Sequence, residues 1–148
     1  MTLEDALNFI LQTVGSNPKS ETVSIEKSSG RFLAETLSSH DDIPPFDNSQ
    51  VDGYAVNSKQ IKFNVPVPIS QRIPAGSNPH ELEQATTARI FTGAIVPKSS
   101  DSVVMQEDIE IENGKVVFDK KILPGQYIRK RGCDLKTNQT FFEKGRLL

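Results

Sequence analysis

The chain has 148 residues, 36% of them hydrophobic and 24% charged, enough for one ordinary domain or two small lobes with thin cores. Its net charge of -2, from 17 basic and 19 acidic residues, excludes the basic excess usual in a nucleic-acid binder. Cys133 is the only cysteine, which excludes an internal disulfide and a cysteine-rich zinc site and fits a reducing compartment.

Residues 2–14 are predicted to form one helix, with Leu3, Ala6, Leu7, Ile10, Leu11 and Val14 on a single apolar stripe. Thr2 is its cap, Glu4 and Asp5 suit the positive end of its dipole, and Gly15 with Pro18 can end it. So wide a stripe is expected to face a core. Glu4 and Asp5 also stand where a signal peptide would be basic, and no apolar run approaches bilayer length. A cytoplasmic protein that meets neither membrane nor nucleic acid is expected.

Thr22–Glu26 alternates like a short strand, and Ser28-Ser29-Gly30 is a turn. Arg31–Leu37 suits a helical turn or a strand equally. Ser38–Pro45 is polar, acidic and proline-terminated, like a crossing between lobes.

Past Asp52-Gly53 the pattern is β. Ile61, Phe63, Val65 and Val67 alternate, with Pro66 making that an edge strand. Pro74-Ala75-Gly76 is a turn, and Arg89–Phe91 and Ser102–Gln106 are short apolar runs. Asp108–Ile111 and Lys115–Phe118 flank Asn113-Gly114, a strong hairpin signal. Strands at Gln126–Arg129 and Thr140–Glu143 follow, the latter turning at Lys144-Gly145. The fold class is mainly β (α+β), with one N-terminal helix and about eight or more short strands.

Three places could carry chemistry, although by spacing alone a common Asp-Gly turn with solvated carboxylates, a strand end with a glycine turn and a solvated strand end account for them as well. Asp41, Asp42, Asp47 and Asp52 crowd a loop that Pro44-Pro45 stiffens, and Gly53 can supply a positive φ after Asp52. Such a loop can hold a hard cation or position a water. A calcium loop is excluded by spacing, because Lys59 falls where its closing acid belongs. Second, Thr92 offers a hydroxyl at a strand end, and Gly93 lets backbone N–H groups turn toward an oxyanion. Third, Arg129-Lys130-Arg131 beside Gly132 can grip phosphate. Lys130 itself reads as part of a solvated strand end. Cys133 has no base within a motif, and His40 and His80 are expected at the surface.

Pro44–Val56 (PPFDNSQVDGYAV), Arg89–Pro97 (RIFTGAIVP) and Arg129–Asp134 (RKRGCD) closely resemble segments of the molybdopterin molybdotransferases, the MoeA and gephyrin E-domain family. Ser102–Glu107 and Gly30–Glu35 extend the resemblance over nearly the whole chain. The family more often has an acid where Cys133 stands and glycine near Asn138. Asparagine also accepts the left-handed conformation.

The resemblance implies the family's N-terminal fold: a helix-containing linker lobe of 1–45 with 128–148, and a barrel-like lobe of 46–127. The pterin-binding and C-terminal domains are expected to be absent, so the chain alone is expected to be inactive. In the family, molybdate is transferred into adenylylated molybdopterin, AMP is released, and Mg2+ is the usual metal. Carried over, Asp52, Thr92 and Asp134 are catalytic, and Ser49, Gly53, Gly93, Arg129 and Glu107 bind substrate. Asp52 is also the metal ligand. The expected partners are a second copy, as a homodimer, and the pterin-binding domain. Two other readings stand beside it: a non-catalytic dimerising or partner-binding module of the same family, and a small β-barrel for single-stranded nucleic acid. The missing basic excess weighs against the last.

Overall fold

A computed structural model describes residues 2–14 and 19–148. The chain divides into two compact units, Met1–Leu37 with Thr140–Leu148, and Ser38–Gln139. The boundaries lie at 37/38 and 139/140, outside the 45/46 and 127/128 divisions expected from sequence. Backbone pairing explains this: Ile43 bridges Leu135, and Asn48 pairs with Arg129, so 38–45 and 128–139 are stitched together within the second unit.

The first unit contains helix α1, Leu3–Thr13. Thr2 Oγ1 accepts from the Asp5 amide at 3.1 Å, and Asp5 Oδ2 accepts from the Thr2 amide at 2.8 Å. This reciprocal capping box satisfies two donors that the first turn leaves free. The expected stop at Gly15 and Pro18 lies outside the described residues. No helix residue is buried, and Leu3 is 89% exposed, so the core-facing stripe expected from sequence is corrected. Ile25 and Phe32, the large apolar residues of the next stretch, are themselves 83% and 71% exposed and form no core.

The strand expected at Thr22–Glu26 is instead extended chain leading into a 3-10 turn, Ile25–Lys27. Phe32 makes a single bridge to Leu147. Strand β1, Leu37–Ser38, where the chain leaves this unit, pairs with the last strand at Thr140–Phe142, where it returns.

The second unit is built on a four-stranded sheet. After β2 (Asn48–Ser49) come β3 (Gly53–Val56), β4 (Ile69–Ile73), β5 (Thr87–Ile90) and β6 (Ser102–Met105), in the spatial order β4-β5-β3-β6. β3 is antiparallel to both β5 and β6, whereas β4 lies parallel to β5. β3 is buried at every position because each face of the sheet carries its own core. Side chains alternate between faces along a strand. Tyr54, Val56 and Val104 therefore join Ile61, Val67, Val116, Phe118 and Ile122 on one side. Ala55, Ala88, Ile90 and Val103 join Ile73, Leu82, Ala94 and Ile128 on the other.

The predicted strand at Ile61–Val67 does not form; apart from a single bridge from Val67 to Val116, the next strand begins at Ile69. Asn64 is left-handed (φ 57), and Pro66 and Pro68 remove ladder donors. Ile61 and Val67 still reach the core, while Phe63 and Val65 are 49% and 45% exposed. The Asn113-Gly114 hairpin forms as read, joining β7 (Glu110–Glu112) to β8 (Lys115–Val117). Both turn residues have positive φ, 49 and 76, as a type I′ turn requires. β9 (Ile128–Arg129) pairs with β2, and β10 (Thr140–Phe142) is the last strand. Among the described residues these pairings form open sheets. The ring closure of a barrel is not among them.

Candidate functional site

Asp52 precedes β3, and Thr92 lies just past the end of β5. Because these strands are antiparallel with Gly53 opposite Ile90, the two residues meet beyond the sheet's last rung. Asp52 Oδ1 accepts from both the Thr92 amide and the Thr92 hydroxyl, each at 2.8 Å. The Asp52 carbonyl accepts from the Gln106 amide at 3.1 Å, where β6 gives way to the 3-10 turn Gln106–Asp108. Asp52 is thus clamped where three strands meet. Its carboxyl is held below the usual range by the Thr92 N–H, then by the Thr92 hydroxyl and the positive charge of Arg89.

Arg89 completes this corner, although the sequence did not single out its side chain. Its Nη1 donates to the Gly53 carbonyl at 3.1 Å, and its Nη2 donates to Gln106 Oε1. Gln106 Nε2 in turn donates to Glu107 Oε1 at 3.1 Å. Glu107 therefore joins the corner at the end of a hydrogen-bond chain, without touching Asp52. The available signal was the place of Arg89 at the head of the matched string Arg89–Pro97, but a strand arginine ordinarily reads as a solvated one.

Three of the expected contact residues play structural parts here. Gly53 does not take a positive φ. It is glycine because a Cβ there would stand 2.0 Å from the Val104 carbonyl oxygen on β6. Gly93 is left-handed (φ 80), but its turn does not present free N–H groups to an anion. The Thr92 amide goes to Asp52, the Gly93 amide to the Ser49 carbonyl, and the Ala94 amide to the Phe91 carbonyl. Ser49 is 2% exposed, and its hydroxyl donates to the Val51 carbonyl at 2.6 Å.

Asp42 and Asp47 of the acidic loop pair with the basic turn, so the two segments that the sequence presents as separate candidate cation and phosphate sites lie together. Arg131 Nε donates to Asp42 Oδ2 at 2.5 Å, Lys130 Nζ donates to Asp47 Oδ2 at 2.7 Å, and Arg129 pairs with Asp134. Asp42 Oδ1 also accepts from the Thr137 amide at 2.8 Å, and Asp47 Oδ1 accepts from the Arg131 amide at 2.8 Å. Gly132 sits buried beneath, with φ 66, and a Cβ there would meet Asp42 Cγ at 3.3 Å. The Asp42 carboxyl is lowered by the Thr137 N–H and then Arg131. For Asp47, burial raises the carboxyl, but bonding from Lys130 and the Arg131 amide prevails and it too is lowered.

Arg129 pulls Asp134 down, with the Cys133 thiol adding to the effect, and Asp134 pushes Arg129 up. Cys133 is exposed and donates to Asp134 Oδ1 at 3.4 Å. Asn138 takes the left-handed conformation (φ 65), so asparagine serves where the family tends to have glycine. His40 and His80 are both exposed.

Among the described residues no three Asp, Glu, His or Cys side chains converge on a metal position. Asp52 nevertheless fits a magnesium role of a limited kind. One oxygen is engaged by Thr92, and among the described residues the other accepts no hydrogen bond. Mg2+ commonly takes one or two protein carboxylates and completes its shell with water and substrate phosphate.

A mainly β region with one capped helix is also the fold found in solved molybdopterin-biosynthesis proteins. It superposes on a crystal structure of the molybdopterin biosynthesis MoeA protein from Pyrococcus horikosii with a TM-score of 0.87 and 35% identity, covering 100% of this chain and 39% of that one. The chain belongs to the MoeA N-terminal region family (domain I and II), which it matches over residues 1–148. It is 32% identical over 148 residues to a molybdopterin molybdenumtransferase from Haemophilus influenzae, covering 98% of this chain and 36% of that protein. It is 37% identical over 141 residues to another from Nostoc sp., covering 89% of this chain and 32% of that protein. The chain therefore spans about a third of the length of these relatives.

Proposed function

We propose that this chain is the N-terminal part of a molybdenum insertase. The reaction transfers molybdate into adenylylated molybdopterin and releases AMP, in the biosynthesis of the molybdenum cofactor. The observation that carries this is the clamp of Asp52 by Thr92, within a chain that matches the MoeA N-terminal region from end to end. The lowered Asp52 carboxyl is ionised at neutral pH, ready to hold Mg2+ or orient water through its second oxygen. Thr92 fixes the carboxylate's direction. Arg129 and Asp134 hold the neighbouring turn in shape. Assembly as a cytoplasmic homodimer with a pterin-binding domain completes the reading. It is supported by relatives roughly three times as long as this chain and by the unburied apolar stripe of α1.

The test is a chimaera in which residues 1–148 replace the matching region of the Haemophilus influenzae relative, expressed in cells that lack their own insertase. The activity of a molybdenum-dependent enzyme is the readout. Restoration by the chimaera and its loss with Asp52→Asn are expected. Undiminished restoration by Asp52→Asn, with equal protein levels, would show the proposed role of Asp52 to be wrong.

A further inference from the structure

Arg72 on β4 and Arg89 on β5 are register partners, and Tyr54 on β3 is opposite Arg89. The three side chains form a cross-strand row on one face of the sheet, with Phe91 two residues beyond Arg89. The Arg72 guanidinium lies 4.8 Å from the Phe91 ring centroid. The Arg89 guanidinium lies 4.6 Å from the same centroid and 5.1 Å from that of Tyr54. Two cations over one ring repel each other, and the ring's negative face offsets that only in part.

Neither cation is neutralised by an ion pair among the described residues. The five ion pairs belong to Arg31, Lys120, Arg129, Lys130 and Arg131. Arg89 donates to uncharged oxygens of Gly53 and Gln106. The Arg72 side chain is exposed and, among the described residues, makes the ring contact and no hydrogen bond or ion pair. A guanidinium laid over an aromatic ring keeps its in-plane N–H donors free, arranged as a fork that matches two oxygens of a phosphoryl group.

We propose that Arg72, reinforced by the charge of Arg89, is a binding residue for a phosphoryl group beside the Asp52–Thr92 corner. The ligand class is a phosphate ester or anhydride, or a free phosphate-like oxyanion of the same shape. The proposal deepens the insertase reading, and rests on it for the substrate in which that phosphoryl group occurs. Phe91 connects the two places: its backbone runs directly into Thr92, and its ring seats both guanidiniums. Without a metal ion Asp52 is negative and repels a phosphoryl group, so there the arginines supply the attraction.

The experiment is an NMR titration of the 15N-labelled 148-residue chain with AMP, inorganic phosphate and adenosine, following the Thr92 amide and the arginine Nε–H signals. AMP and phosphate are expected to shift Thr92 and Arg72, and adenosine is not. Tighter binding of AMP than of phosphate assigns the group to a nucleotide ester, and equal binding assigns it to a free oxyanion; both support the phosphoryl grip. Arg72→Gln is expected to weaken binding on the order of tenfold, the worth of one charged hydrogen bond, with the rest of the spectrum unchanged. Arg72→Lys should fall between, having the charge without the fork. Asp52→Asn should bind phosphate at least as tightly, although it disables the chimaera, so failure of the insertase reading registers separately. Unaltered AMP binding by Arg72→Gln, equal shifts with adenosine, or loss of phosphate binding in Asp52→Asn would each overturn the proposal.

Discussion

One oxygen of Asp52 accepts both the backbone amide and the hydroxyl of Thr92, each at 2.8 Å, across 40 residues of sequence. The second oxygen accepts no hydrogen bond among the described residues. A carboxylate so held has one direction in which to offer charge, and it is set by strand register instead of by the loop's own stiffness.

Thr92→Val removes the hydroxyl and leaves the amide. The Asp52 carboxyl, held low first by the Thr92 N–H and then by the hydroxyl, should move part of the way back toward the ordinary aspartate value. A 13C titration of the carboxyl carbon reads this directly. A depressed carboxyl lends stability that is present above the unfolded pKa and is lost as pH falls through the folded one. The variant should therefore show a shallower loss of stability in acid. In the chimaera its activity should drop on the order of tenfold, as for one hydrogen bond to a charged group.

Gly53→Ala and Gly93→Ala separate two uses of glycine. A Cβ at Gly53 would stand 2.0 Å from the Val104 carbonyl oxygen, so β3 and β6 must move apart. Urea unfolding should show a loss of about 3 kcal/mol or more. At Gly93 nothing lies within 4 Å of the added carbon, and only the left-handed φ of 80 opposes it. That costs about 1–2 kcal/mol.

The melting temperature should be level near neutral pH and fall steadily below about pH 4. The sign follows from Asp42, Asp47, Asp52, Asp101 and Asp134, all lowered in the folded chain. The unfolded chain then binds more protons in acid, so stability rises with pH through that window. Asp42→Asn should flatten the acid limb, because Asn cannot take up the proton that Asp42 resists. Differential scanning calorimetry from pH 2 to pH 7 would read both, a window set by the carboxylate range.

Phe118 is 1% exposed and is among the largest fully buried side chains. Phe118→Ala should cost about 3–5 kcal/mol, a large part of the roughly 5–15 kcal/mol that holds a small domain together. Circular dichroism at rising temperature would show a much lower midpoint or no cooperative transition.

Where local rules dominate, the sequence could be read correctly. The Thr2 cap of the first helix, the Asn113-Gly114 hairpin and the left-handed Asn138 depend on a few adjacent residues. The same rules misjudged Ile61–Val67, where alternation suggested a strand. There Asn64 and the two prolines break the backbone while Ile61 and Val67 still supply core side chains. Alternation records which side chains are buried and says nothing of whether N–H groups are free to pair.

By itself the sequence determined the family and the mainly β class with one helix, because those rest on residue identity and short-range chemistry. Only the tertiary structure decided how charges and amides are used. It turned Asp42 and Asp47 toward Arg131 and Lys130, gave the Gly93 amide to Ser49, and brought Arg72 beside Arg89 across a parallel pair of strands. The physical reason is distance along the chain. Each of these partners is brought together by strand pairing or loop closure, and a polar group's freedom to meet a ligand depends on whether such a partner has already claimed it.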